Sequence, residues 1–380
     1  MAQFHNHYHL MRMKEMGRIY WCHSIGSFGI ALISVFIPIF LLKSGYSFQT
    51  VLLFILSQQL LSLILQYPAG KLFAYIRPHH LLALGQFYYV LLLGLLATLT
   101  IYHWPLWILA FMWALNRTVY WTAFHYLFSV ARAHKTAGRQ IAFLSSLSLI
   151  SACIAPAIGG IAATFFGIQY AYIVAGLILA IALIPVLKTG GPERIKLRIR
   201  WSHIREIRRD IFANASNGTI LMAENNLWPL LIFTIVSSYA GIGLLSAAIA
   251  LSSTFVTMYV GRREESAGEK PYIRGGLATY SLTSIGRAVV QSSGQIFGLN
   301  MLGGIGRSLY VTPFLNRYYA NSDGKDRLGY ITLMEAAFSA GASLLIILAL
   351  ILSSFVSDSA VLSISLVVVA ITALGVRLIR

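Results

Sequence analysis

"NRTVYWTAF" occupies Asn116 to Phe124, and "GRSLYVTPF" occupies Gly306 to Phe314. Arginine, tyrosine, threonine and a closing phenylalanine recur in the same order, 190 positions apart in a chain of 380 residues. Matching segments half a chain apart mark an internal duplication. Each copy sits inside a long apolar stretch. An ionisable side chain at membrane depth costs ~2.5–3.5 kcal/mol on insertion scales. An arginine placed there twice, in one local setting, therefore asks for a shared reason.

The composition says why the stretches are membrane spans. The chain is 57% hydrophobic and 11% charged, with a mean hydropathy of +0.72. A soluble domain cannot hide that much apolar surface. Apolar stretches recur from about Arg18 to the C-terminus, so the expected class is an all-α polytopic membrane protein. The formal charge of +17 would suggest a nucleic-acid partner in a soluble protein. Here basic loops orient helices in a bilayer, so the partner is lipid and not nucleic acid. The two cysteines, Cys22 and Cys153, lie far apart inside spans. No disulfide framework or zinc spacing follows, and neither a metal nor a cofactor is implied. The first apolar run has no small-residue cleavage site and reads as a retained helix.

Twelve spans are predicted, at roughly 18–43, 47–75, 80–102, 104–131, 138–164, 167–187, 209–234, 237–261, 272–293, 294–318, 327–355 and 359–378. The N-terminus and the even-to-odd connections collect Arg12, Lys14, Lys71, Arg77, Arg132, Lys135, Arg139, Arg262, Arg263, Lys270, Arg317, Lys325 and Arg327. The opposite connections are short and carry Lys43 alone. This asymmetry predicts cytoplasmic termini, in the inner membrane of a bacterium.

The connection "KTGGPERIKLRIRWSHIREIRRD", Lys188 to Asp210, divides the chain. The expected domains are an N-terminal six-helix bundle at 1–187, a basic linker at 188–208 and a C-terminal six-helix bundle at 209–380. "WSHIREIRRD" reads as a basic amphipathic helix on the anionic inner leaflet, or else as a docking site. "HNHYH", His5 to His9, reads as a polar tail or a weak metal ligand set.

The duplicated segments fall on spans 4 and 10, which run in the same direction. The halves are thus parallel repeats about an axis along the membrane normal. "IPIFLL" at Ile37–Leu42 and "WPLLIF" at Trp228–Phe233 form a weaker echo, and Gly85 and Gly275 lie 190 apart.

With these features the chain resembles the major facilitator superfamily of secondary transporters. "GKLFAYIRPHHLL", Gly70 to Leu82, resembles the signature between spans 2 and 3. "SACIAPAIGG", Ser151 to Gly160, resembles the span 5 signature, and "LNRTVYW" the span 4 signature around Arg117. The departures are specific. Ala74 stands where the loop signature has an aspartate, and Pro78, His79 and His80 follow Arg77, which removes the expected charge relay. In span 5, Ala155, Ser151 and Ala142 replace glycines but stay small. Trp121 replaces a glycine in span 4. The resemblance implies two pseudo-symmetric bundles, with spans 1, 4, 7 and 10 lining a central cavity. It also gives gating or packing roles to Gly70, Arg77, Pro156, Gly159 and Gly160.

Intramembrane polar residues are the candidate site. Arg117 has Tyr120 three residues on and Phe124 seven on; Arg307 has Tyr310 and Phe314. Those offsets share a helix face. Two guanidiniums and two phenols suit a carboxylate or phosphate. Each arginine either faces the cavity and contacts substrate or pins backbone carbonyls in its own half. In span 7, Asn214, Asn217, Glu224, Asn225 and Trp228 form one polar stripe. The predicted substrate-binding residues are Arg117, Tyr120, Arg307, Tyr310, Asn217, Asn225 and Trp228. Glu224 is the first proton-coupling candidate and Glu335 the second, the latter with an alternative as an arginine partner or cytoplasmic gate. Arg287 is expected to pack or to face lipid.

The resulting expectation is a monomeric secondary transporter of a small solute, working by alternating access and coupled to protons or another ion, with an organic anion as substrate class. A multidrug antiporter or a lipid or lysolipid translocator also fits. A receptor or scaffold is the alternative of a different class. No zinc-protease, phosphate-loop or serine-nucleophile motif argues for an enzyme.

Overall fold

The computed structural model describes residues 17, 21–131, 137–187, 193–199, 201–267, 269–324 and 326–380, without the side chains of 137–150, 152, 201–203, 250–251, 258 and 261–267. Arg12, Lys14, Arg132, Lys135, Lys325 and the run His5–His9 lie outside the described residues, as do the side chains of Ala142, Arg139, Arg262 and Arg263. Among the described residues all regular structure is helical.

The long helices of the described residues form the bundle. They are α1 (Trp21–Lys43), α2 (Phe48–Leu72), α3 (Pro78–Ala97), α4 (Leu106–Ala131), α5 (Ala137–Phe166) and α6 (Ile168–Leu187), then α7 (Arg208–Met222, continuing to Ile235), α8 (Tyr239–Ala267), α9 (Lys270–Ala288), α10 (Ser293–Ser322), α11 (Arg327–Leu352) and α12 (Asp358–Ala373). Among the described residues seven of them are apolar and long enough to cross a membrane by length and composition alone: α1, α2, α3, α6, α8, α11 and α12. Helices α4, α7, α9 and α10 carry the intramembrane Arg, Glu, His and Asn residues that lower their hydropathy. Large apolar side chains such as Leu177, Leu282, Leu344 and Ile371 are more than 60% exposed on outer faces. A surface of that kind suits acyl chains and not water.

The packing repeats between the halves. Helix α3 packs on α4 and α6, and α2 on α4; correspondingly α9 packs on α10 and α12, and α8 on α10. Across the halves, α2 packs on α11 and α5 on α8. Exchanging the two halves turns each of these pairs into another, which is the signature of parallel repeats.

Small residues set the closest crossings. The Gly85 position of α3 has room for no Cβ because the Tyr120 backbone of α4 lies against it. Its counterpart is Gly276, set against the Gly306 carbonyl and Tyr310 amide of α10. Gly275, the residue expected from the sequence spacing, faces open space. The offset between the halves is thus 191 at Gly85 and Gly276 but 190 at Arg117 and Arg307. A one-residue slip on a helix turns a side chain by about 100°, so the equal-spacing glycine points away from α10. In α5, Gly159 abuts the Leu32 carbonyl of α1 and Gly160 abuts the Tyr239 carbonyl of α8, while Gly243 receives the Pro156 carbonyl. Gly70 meets Thr332 Oγ1 of α11 at a distance that would leave a Cβ 3.0 Å away.

The echo between α1 and α7 has a shared physical cause. Pro38 and Pro229 lack an N–H, so the carbonyls of Ser34 and Asn225 lose their helical partners. Both helices deform just before the proline. In α1 the deformation is a tight 3₁₀ turn, Ser34–Phe36; in α7 it is a wide π turn, Ala223–Leu227.

Between the halves, Glu193–Ile199 is not helical. Ile195, Leu197 and Ile199 turn inward while Arg194, Lys196 and Arg198 face out. The Ile195 amide donates to Phe73 O at 2.9 Å, and the Arg198 carbonyl fits against Gly329. Among the described residues of this connection the helical stretch is Trp201–Glu206, shorter than the amphipathic segment expected there.

Candidate functional site

The two arginines of the repeat have unequal surroundings. Arg117 Nη1 of α4 donates to Glu335 Oε2 of α11 at 2.7 Å, with side-chain exposures of 15% and 7%. Its guanidinium also lies 4.2 Å from the Phe338 ring centroid. Two turns on, His125 Nε2 lies 3.4 Å from Glu335 Oε1, and His125 Nδ1 is 2.7 Å from the Tyr319 hydroxyl of α10. Phe128 then stacks near Tyr319 at 4.8 Å. Arg117, His125 and Phe128 belong to the first half, and Glu335 and Tyr319 to the second. The Arg117–Glu335 ion pair is therefore a contact between halves, and among the described residues neither arginine donates to a backbone carbonyl of its own half. Arg307 is half-buried. Among the described residues no ion pair or hydrogen bond is formed by Arg307, although it is close enough to Glu224 and Tyr310 to act on them electrostatically.

Glu224 sits in the π turn of α7 and is 6% exposed. It accepts from Tyr280 Oη at 2.8 Å and forms a buried ion pair with Arg287, both on α9. Arg287 is fully buried, and its guanidinium lies 4.8 Å from the Trp228 ring centroid. Of the two roles expected for Arg287, packing and facing lipid, its full burial fits packing and not lipid. Burying a charge is tolerable only when it is paired, and Glu224 is that pair.

The other predicted substrate residues are distributed unevenly. Tyr120 is 2% exposed and stacks on Phe124 with centroids 6.2 Å apart. Tyr310 is fully buried, its hydroxyl 3.4 Å from Asn217 Oδ1. Trp228 is 1% exposed and donates from Nε1 to Asn300 Oδ1 at 2.7 Å, while Asn300 Nδ2 donates to Leu245 O of α8. Asn225 is exposed. Asn214 turns toward α11, donating to the Asp210 carbonyl at 2.9 Å and lying 3.0 Å from Met334 Sδ. The single polar stripe expected on α7 is thus split. A π turn adds a residue to one turn, so positions beyond Met222 leave the 3.6-residue register on which the stripe was reckoned. Arg77 is the exposed N-cap residue of α3, and Pro156, Gly159 and Gly160 lie in the α5 crossings.

Tyr280, Tyr319 and Asn300 escaped the sequence reading of the site, and Arg287 and His125 stood out as intramembrane ionisable residues without a place in it. Each gains its place from a partner on another helix, between 56 and 194 positions away in the chain. The sequence signal for His125 was its offset of eight from Arg117, which keeps both on one helix face.

At the opposite end of the bundle, Lys43 lies 4.1 Å from the Tyr239 ring centroid and 5.6 Å from that of Phe233. Gln49 Nε2 donates to Ser353 O at 3.4 Å, and the Ala240 amide donates to Thr164 Oγ1 at 3.2 Å. All three join the halves. The arrangement therefore carries separable sets of cross-half contacts toward its two ends, with Arg307 and the Glu224–Arg287 pair on helices between them.

The family profile of the Major Facilitator Superfamily matches residues 19–215, more than half of the chain. No curated protein matches. Among solved structures, FucP in the outward conformation superposes with a TM-score of 0.69 at 12% identity, covering 97% of this chain and 98% of that one. The E. coli fucose:proton symporter FucP gives 0.66 at 13% identity, covering 94% and 97%. A bacterial homologue of the iron transporter ferroportin, in the outward-facing state, gives 0.69 at 15% identity, covering 96% and 98%.

Proposed function

The chain belongs to the major facilitator superfamily, and from that premise we propose that it is a proton-coupled carrier of a small organic anion working by alternating access. Membrane transport itself follows from the family. The finer reading rests on one observation: Arg117 is held by a carboxylate across the halves, whereas its repeat partner Arg307 has no such partner among the described residues.

Glu335 and an anionic substrate compete for Arg117. With Glu335 ionised, Arg117 is occupied and its ion pair helps to hold the halves together at the end where Glu335 lies. A proton on Glu335 removes the carboxylate charge. Arg117 then becomes available, and Arg307 supplies the second cation for the same anion. One protonation both frees a binding group and loosens a closure, and the substrate shifts the balance only through its different affinity for the two states. This reverses the ranking of the two carboxylates. The Glu224 partners Tyr280 and Arg287 all lie within the second half, so rocking of the halves leaves that pair intact. The Glu335 partner lies across the boundary.

The test is current measurement from proteoliposomes adsorbed on a solid-supported membrane, screened with carboxylates and phosphate esters. A hit is expected to be lost in Arg307→Gln and to lose its pH dependence in Glu335→Gln. Full current in Arg307→Gln contradicts the anion reading. Unchanged pH dependence in Glu335→Gln contradicts the coupling.

A further inference from the structure

A cavity of about 550 Å³ opens at the end of the second half that carries the basic connections, away from the residues of the transport site. Six cations line it: Arg209 at the start of α7, Lys270 and Arg274 on α9, Arg317 on α10, and Arg377 and Arg380 beyond α12. The acidic side chain in the lining, Glu269, is occupied by Arg317 Nε and by Asn316 Nδ2. Nearby Asp210 is 2% exposed. It accepts from Asn321 Nδ2 at 3.1 Å, from Tyr330 Oη at 3.2 Å and from the Arg380 amide at 2.9 Å. Setting aside Arg317, which is paired, and Arg380 at the chain end, four cations remain: Arg209, Lys270, Arg274 and Arg377. Among the described residues none of these four side chains has an acidic partner.

The wall is built and not a loose tail. Arg317 Nη1 donates to Ile379 O at 3.1 Å and Asn321 Nδ2 to Arg380 O at 3.0 Å. With the Arg380–Asp210 bond, these contacts fix the segment after α12 against α7 and α10, so Arg377 is presented at a set position. A bias toward basic residues at one membrane face explains why Lys and Arg occur there. It does not explain their convergence from separate helices on one hollow whose neighbouring carboxylates Glu269 and Asp210 are engaged.

We propose that this cavity binds a phosphate-bearing, multiply charged anion. Guanidinium groups match phosphate oxygens through paired hydrogen bonds, and a lysine adds a point charge. The volume suits a headgroup or a small phosphate ester. Basic pockets between helices at the membrane face hold anionic lipid headgroups by the same chemistry.

Two arms of one experiment separate the sources. Thermal unfolding is followed in neutral detergent with inorganic pyrophosphate at constant ionic strength. It is also followed in nanodiscs of phosphatidylcholine with and without phosphatidic acid. A ligand of the folded state raises the unfolding temperature saturably. Lys270→Gln/Arg274→Gln is expected to weaken the response roughly tenfold or more. These positions are exposed and removed from the core, so folding should tolerate the change. Arg194→Gln/Lys196→Gln, of equal charge on the exposed linker, is expected to leave the response unchanged. A response to phosphatidic acid alone assigns a lipid headgroup, and one to pyrophosphate assigns a soluble ester. No saturable response to either probe, or equal weakening by both double variants, overturns the site.

Discussion

Replacing Arg287 by methionine removes the cation while keeping a long side chain over Trp228. Glu224 then remains in a site where it is 6% exposed, held by Tyr280 at 2.8 Å and influenced by Arg307. Removing one member of a buried pair costs about 3–5 kcal/mol, because the other charge is left uncompensated. Tyr280 and Arg307 offset part of that, so the expected loss is about 3 kcal/mol. Glu224→Gln alone leaves Arg287 as the uncompensated charge, with a similar loss. The double variant buries no orphan charge and should be more stable than the sum of the single losses by about 2 kcal/mol, within the range found for contacting residues. The assay is equilibrium unfolding of the four proteins in mixed micelles, followed by tryptophan fluorescence. Additive losses would refute the claim that the two charges compensate each other. Full stability in Arg287→Met would refute the claim that Glu224 is buried as an ion.

Two further substitutions test the packing and the far end of the bundle. Gly276→Leu should push α9 from α10, because backbone of α10 occupies the Cβ position, and should lower the unfolding temperature sharply. Gly275→Ala, facing open space, should change stability by no more than about 0.5 kcal/mol. Lys43→Gln removes a cation lying over the Tyr239 ring, a contact of ~0.5–2 kcal/mol. It should raise labelling by an impermeant maleimide of a cysteine placed at Ser238, and unchanged labelling would dismiss Lys43 as a closing contact.

Much of the architecture was readable because membrane physics acts on composition. Apolar runs must be helices, and a duplicated Arg-containing segment announces two related halves. The details of the site were less readable, for reasons visible in particular residues. Arg287 and Glu224 lie 63 positions apart on separate helices, and nothing in either local pattern names the other. Glu335 lies 218 positions from Arg117. The paired prolines were seen as an echo, but not that one produces a 3₁₀ turn and the other a π turn. That π turn divided the polar stripe of α7. The same register sensitivity separated Gly276, which packs, from Gly275, which matches the repeat spacing but does not.

The central claim is that the halves move against each other and that the Arg117–Glu335 pair closes one end. At 2.7 Å, its loss at roughly 2–4 kcal/mol of coupling, within the range measured for close charge pairs, would shift the equilibrium between closed and open forms by roughly 30- to 900-fold. The most direct measurement is electron–electron double resonance between spin labels at two pairs of positions, in a background lacking Cys22 and Cys153. One pair, Tyr75 and Arg327, spans the end near Glu335. The other, Tyr46 and Ser238, spans the end near Lys43. In Glu335→Ala the account predicts a longer distance for the first pair and a shorter or unchanged one for the second. Unchanged distributions at both ends, or lengthening at both together, would contradict it.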